Sequence, residues 1–198
     1  MIPVDHVLYI NLDHRTDKLE AIYTKFANAG IPDNKSTRID GIYTPGKGVL
    51  GCALSHCKAL ELAKSHPEWE WTLIVEDDVT FNENPWDEIR DALSVKPDVL
   101  MAFRGACTVN IDNRNLRRVY GACSAVAYIV RSDYIPTLLE NIYECTRKMI
   151  QPGGCDPHDV YWYSLQNSDR WYGFLECPLG VDLTFKSDIR AQHGVISK

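Results

Sequence analysis

Leu73-Ile74-Val75-Glu76-Asp77-Asp78-Val79 is the stretch on which the reading of this chain turns. An apolar, β-branched run stops abruptly in three successive carboxylates. Adjacent acids repel one another, so a buried strand seldom ends this way without a cation close by. Carboxylate oxygens suit Mg²⁺ or Mn²⁺, which are commonly held by one or two acids together with substrate phosphates. Ligands of open α/β sheets bind beyond the carboxyl ends of the strands. The stretch therefore points to a site for a divalent metal and a diphosphate, against the plainer reading of a solvated acidic turn.

Working outward, Val7–Leu12 reads as a first strand, with Asp13 as the cap of the next helix. Leu19, Ile22, Tyr23 and Phe26 recur at helical spacing up to Gly30 and Pro32. A second strand is expected over 35–39, a helix over 49–65 and a third strand over 71–75, running into the acids. Further strands are expected at 98–103, 124–130 and 171–176, and helices at 134–149 and 156–166, the last capped by Asp156. The polar stretch 104–121 reads as a long loop or an irregular hairpin. Strands alternate with helices through the first two thirds, which predicts an α/β fold with a mostly parallel central sheet flanked by helices. The 198 residues fit one domain, 1–198.

Composition narrows the function. The formal net charge is −6, and Arg114, Arg117 and Arg118 make the only local basic cluster. Nucleic acid, which demands a basic footprint, is excluded as a partner. No apolar run approaches the roughly 18 residues of a transmembrane span, and the start of the chain lacks the pattern of a signal peptide. The seven cysteines are scattered without a C-x-x-C pair, which predicts reduced thiols and a cytoplasmic location. No nucleophile elbow, His-Glu-x-x-His or P-loop pattern occurs.

Several residues carry chemistry. Asn11 and Asp13 sit where an open α/β fold places a nucleotide. Arg15 and Lys18, one turn into the next helix, are in reach of a diphosphate or else lie on a solvated face, the reading that suits Lys18 better. His56 shares a helical face with Cys52 and Leu60 and reads as a core histidine, or as a contact to phosphate or acceptor sugar. Asp156-Pro157-His158-Asp159 offers two carboxylates, either of which would serve as a general base. His193 lies in a tail able to fold over the site, and imidazole is a competent Mn²⁺ ligand.

These segments together resemble glycosyltransferase family 25, which includes lipooligosaccharide and collagen galactosyltransferases. Tyr9 to Arg15 resembles the family's "INLDR" opening, and Ile39-Asp40-Gly41 its "VDG" turn. Thr44-Pro45-Gly46 with Gly51 to His56 resembles "TPGEIGCFLSH", and Leu73 to Val79 resembles "LILEDDV". Ser124 to Val130 resembles "GTAAYLIS", Asp156 to Tyr161 the "PVDHFL" region, and Ser187-Asp188-Ile189 the late "SDI". The resemblance implies a GT-A-like fold and a nucleotide-sugar donor, usually UDP-galactose. It implies inverting transfer to a hydroxyl of a glycan or glycoprotein acceptor, with Mn²⁺ or Mg²⁺ bound at the acidic motif. It further implies metal contacts from Glu76 and Asp78 and a donor site about Asn11, Asp13, Ser55, His56 and Asp77; Arg15 and Asp40 as donor contacts and His193 as a third metal ligand complete the expected site. The base would be Asp159 or Asp156, since His158-Asp159 reverses the family's Asp-His order. Gly48-Val49-Leu50 also departs from the family's acidic-apolar pair before Gly-Cys. A nucleotide-sugar hydrolase on the same site, or a degenerate binding module, are the rival readings.

Overall fold

The computed structural model describes residues 1–105, the strand at 108–109 and residues 115–189. Its centre is β1 (His6–Asn11), whose six residues are all buried. β1 lies between β2 (Ser36–Asp40) and β3 (Trp71–Glu76) and runs parallel to both. A strand covered on both faces needs apolar residues at every position, and successive side chains then feed opposite faces. Val7 and Tyr9 join the core formed with Ile22 and Phe26 of α1 (Thr16–Asn28). Leu8 and Ile10 join the opposite core, with Ala53, Cys57 and Leu60 of α2 (Gly48–Lys64). β3 repeats the division: Leu73 and Val75 enter the first core and Ile74 the second. Each fully buried Leu, Ile or Val stabilises the fold by about 1.5–3 kcal/mol before entropy is charged.

The chain continues through β4 (Val79–Phe81), α3 (Pro85–Leu93), β5 (Val99–Met101), β6 (Thr108–Val109), β7 (Leu116–Tyr120) and β8 (Ala127–Arg131). Then come α4 (Ile135–Met149), α5 (His158–Tyr161), α6 (Tyr163–Ser168), β9 (Trp171–Phe174) and β10 (Leu179–Val181). Eight strands form one sheet in the order β2-β1-β3-β8-β5-β9-β7-β6. Only β7 and β8 run against the rest, so the sheet is mostly parallel, as expected. The alternation of elements did not reveal that β8 inserts antiparallel between β3 and β5.

Two other expectations are corrected. The stretch 156–166 is two short helices meeting at Trp162, whose indole is fully buried and hydrogen-bonded to the Ala122 carbonyl. Neither Asp13 nor Asp156 caps a helix: Arg15 and Pro157 hold those positions, with no side-chain capping bond. The tail carries β10, which pairs antiparallel with β4 just after the acids. Within the expected stretch 104–121, β6 and β7 pair antiparallel; residues 106–107 and 110–114 lie outside the described residues.

The order β2-β1-β3 reverses direction at β1, with α1 and α2 on opposite faces. The carboxyl ends of β1 and β3 therefore open on a crevice at a topological switch point. The loop at 42–44 borders it and packs directly on α2. A Cβ on Gly51 would lie 2.3 Å from the Ile42 carbonyl oxygen and 2.2 Å from Thr44 Oγ1, so only glycine lets the loop approach. Gly51→Ala is expected to cost about 1–3 kcal/mol in urea unfolding. An unchanged midpoint would contradict this packing.

Candidate active site

The crevice is lined by Glu76, Asp77 and Asp78 from the end of β3, by Lys18 of α1, and by Cys52, Ser55 and His56 of α2. Ile42 to Thr44 form one wall, and Ser187 to Ile189 close it from the tail. The tail arrives there because β10 runs alongside β4, and the Asp182 N–H donates to the Asp78 carbonyl oxygen at 2.7 Å.

Lys18 corrects the sequence reading most sharply. It is buried, not solvated. Its ammonium donates to Asp77 Oδ1 at 2.8 Å and to Asp78 Oδ2 at 3.0 Å. Burial works against the charge on Lys18, but the two carboxylates outweigh it and raise its pKa. The second oxygen of Asp77 accepts from Asn11 Nδ2 at 2.8 Å. Asn11 is itself held by Arg38, whose Nε donates to Asn11 Oδ1 at 3.1 Å. Asn11 thus positions Asp77 from below and does not line the crevice. Asp78 Oδ1 is buried without a hydrogen-bond partner among the described residues. Such an orphan acceptor beside an open crevice calls for a cation or a donor.

Glu76 turns toward α2. Its Oε1 lies 3.6 Å from Cys52 Sγ and 3.5 Å from His56 Nε2. Burial, then the neighbouring Asp78, push the Glu76 carboxyl up to about 7. His56 Nδ1 lies 3.1 Å from the Tyr128 hydroxyl, and its ring stands 4.9 Å from that of His158. Burial pushes His56 down to about 4. Burial, then His56, push His158 down to about 3. Both imidazoles are therefore neutral near pH 7.

The other expected residues divide between support and surface. Ser55 Oγ accepts from the Ile42 N–H at 2.8 Å and donates to the Gly51 carbonyl at 2.7 Å, tying the 42–44 wall to α2. Arg15 pairs with Asp17 and reaches Asp188 at 2.5 Å, holding the tail segment over the crevice. Asp13 and Asp40 are exposed and paired with Arg38. Asp156 is exposed. Asp159 accepts from the Ser124 N–H at 2.9 Å, and Ser124 holds a positive φ of 81°, an unfavourable conformation for serine. Asp159 acts electrostatically on Glu76, Cys52, His56 and His158, though it does not line the crevice. His193 lies outside the described residues. Cys52, Cys57, Cys145 and Cys155 are free thiols. Sequence reasoning missed Lys18 as a site residue, and Cys52 with His158 as a pair; the four-residue spacing of Cys52 and His56 was the available signal.

The acidic motif fits a divalent cation in its chemistry. Glu76 and Asp78 offer hard oxygen donors to the crevice, and one oxygen is unsatisfied. Among the described residues, Cys52, His56 and His158 also form a group able to hold a metal ion.

No family model matches the chain, so the likeness to family 25 rests on its motifs alone. A curated protein of Acanthamoeba polyphaga mimivirus, named "Putative glycosyltransferase R655", is 27% identical over an alignment covering 58% of this chain and 41% of that protein. The chain thus spans less than half the length of that relative. Among solved structures, A197 from STIV superposes with a TM-score of 0.49 at 14% identity, covering 88% of this chain and 83% of that one. A Thermus thermophilus protein named mannose-1-phosphate geranyltransferase gives a TM-score of 0.45 at 13% identity, covering 88% and 75%. No helix among the described residues is long and apolar enough to cross a membrane.

Lys18→Met leaves two buried carboxylates without their cation. It is expected to cost about 3–5 kcal/mol at neutral pH, part of which returns on acidification as the acids protonate. A loss below about 1 kcal/mol, the range of exposed pairs, would show that the ion pair is not structural. A second expectation concerns pH. Between about 4.5 and 6.5, the ordinary values for Glu and His, the folded chain keeps the Glu76 proton that the unfolded chain releases. Acidification therefore stabilises through Glu76. The two histidines act oppositely, because in this window the unfolded chain takes up protons that the folded chain resists. Glu76→Gln should lose stability more steeply than the parent as pH falls from 6.5 to 4.5. Equal slopes in urea midpoints would contradict the assignment.

Proposed function

We propose that the protein is a GT-A-like glycosyltransferase that moves a hexose, galactose by default, from a UDP-sugar to a hydroxyl of a glycan or glycoprotein acceptor. The observation that carries this reading is the Glu76-Asp77-Asp78 motif at the switch-point crevice, with an orphan oxygen on Asp78 and a lysine between two of the acids. The motif resemblance and the similarity to a protein named as a glycosyltransferase support the same class.

In this reading the nucleotide-sugar enters the crevice with its diphosphate toward the acidic motif. Glu76 and Asp78 would hold Mn²⁺ or Mg²⁺, which neutralises diphosphate charge when bound. Lys18 fixes Asp77 and one oxygen of Asp78, so the motif is preorganised before any ligand arrives. The acceptor oxygen attacks the anomeric carbon from the face opposite the diphosphate. The new carbon–oxygen bond forms as the bond to the diphosphate breaks, and the configuration inverts. A carboxylate takes the acceptor proton. Asp159 is preferred to the exposed Asp156, because it stands beside the buried cluster and is held by the Ser124 N–H; lying outside the crevice lining, it would take the proton through one water. Ser55 and the 42–44 wall shape the crevice, and the Ser187–Ile189 segment closes it over bound donor.

Asp78→Asn is expected to abolish transfer while the circular dichroism spectrum stays unchanged; undiminished turnover in the folded variant would sink the cation assignment. Asp159→Asn should lower kcat about 10²–10⁴-fold with little change in donor KM, the usual contribution of a general base. Loss of donor affinity without loss of kcat would instead make Asp159 a binding residue.

A further inference from the structure

We propose that Cys52, His56 and His158 form a binding site for one Zn²⁺-class metal ion, distinct from the oxygen donors of the acidic motif. The ligand atoms of the three residues all lie within 4.8 Å of one another. Cys52 and His56 are one turn apart on α2 and so project from the same face. His158 opens α5 and brings its ring against His56 from the other side, 4.9 Å between centroids and 37° between planes.

The independent observation is His158 itself. It is 3% exposed, and neither Nδ1 nor Nε2 has a hydrogen-bond partner among the described residues. A buried imidazole has one donor and one acceptor to satisfy, and leaving both idle is costly and uncommon. A metal ion accounts for the acceptor nitrogen. His56 is prepared in the complementary way. Its Nδ1 faces the Tyr128 hydroxyl at 3.1 Å, which orients the ring and leaves Nε2 facing Glu76 and the cluster.

The ligand types select the metal. One sulfur and two imidazole nitrogens suit Zn²⁺, whereas Mg²⁺ and Mn²⁺ favour the oxygens of Glu76 and Asp78. Three protein ligands leave one tetrahedral position. Glu76 Oε1, within 3.6 Å of both Cys52 Sγ and His56 Nε2, is placed to hold a water there by a hydrogen bond. Binding exchanges the Cys52 S–H bond for a sulfur–metal bond and releases one proton to solvent.

The test is titration of the full-length, metal-free chain with Co²⁺, followed by competition with Zn²⁺. The expected result is a thiolate-to-cobalt charge-transfer band with tetrahedral d–d bands, saturating at one equivalent and abolished by Zn²⁺. Cys52→Ser should remove the charge-transfer band. His158→Asn should weaken Co²⁺ binding at least about tenfold, the lower bound for disturbing even a supporting partner. Asp78→Asn should leave the spectrum unchanged, which separates this site from the catalytic proposal. No thiolate band in the parent chain under excess Co²⁺ would overturn the proposal without recourse to any variant. A band that persists in Cys52→Ser would overturn it as well, placing the metal on other thiols such as the Cys145–Cys155 pair, whose sulfurs lie 3.6 Å apart.

Discussion

The Lys18 ammonium, set between Asp77 and Asp78, is the interaction on which the rest of the site depends. A buried strand that ends in three carboxylates accumulates like charge where water is scarce, and the desolvation cost of each ion is several kcal/mol. Lysine from the adjacent helix offsets this for two of the three acids, and Asn11 supplies a further hydrogen bond. Burial still raises the pKa of Asp77, and it raises that of Glu76, which lies outside the pairing and beside Asp78, to about 7. The arrangement ties the ends of β1 and β3 to the first turn of α1. The crevice walls are thereby fixed by electrostatics as well as by the sheet.

Two kinds of donor meet in this crevice. On one side stand the oxygens of Asp77 and Asp78 with their ammonium partner. On the other stand sulfur and imidazole, packed against Tyr128 and Trp162. Glu76 lies between them and faces both. The segment before residue 190 is tied to the body by the β10–β4 pairing and by the part-buried Lys25–Asp182 and Arg15–Asp188 pairs.

Much of the central fold was legible in the sequence. The apolar runs of β1 and β3 and the helical spacing of Ile22 and Phe26 follow from burial on two faces, and periodicity reports burial directly. The direction of β8 was not legible, because Ala127–Arg131 would show the same apolar run pointing either way. β4 and β10, three residues each, are too short to carry a pattern. The acidic motif pointed to a divalent metal, but the buried Lys18 that pairs with two of its acids depends on a contact across 59 residues of chain. A lysine on an amphipathic helix ordinarily reads as solvent-facing. His158 was visible within an acidic constellation, yet its meeting with His56 exists only once α2 and α5 are packed against the same sheet face.

The central claim is that the crevice binds a nucleotide-sugar with a divalent cation. Thermal unfolding of the full chain against a panel of nucleotide-sugars, with Mn²⁺ and with chelator, tests it most directly. Ligand at about a hundred times its Kd stabilises the folded chain by about 2.7 kcal/mol, which for a chain of this size is a rise in Tm of about 5–10 °C. The account predicts such a rise for one donor in Mn²⁺, lost in chelator when each is compared with its own donor-free control. No shift with any donor, with or without metal, would contradict it.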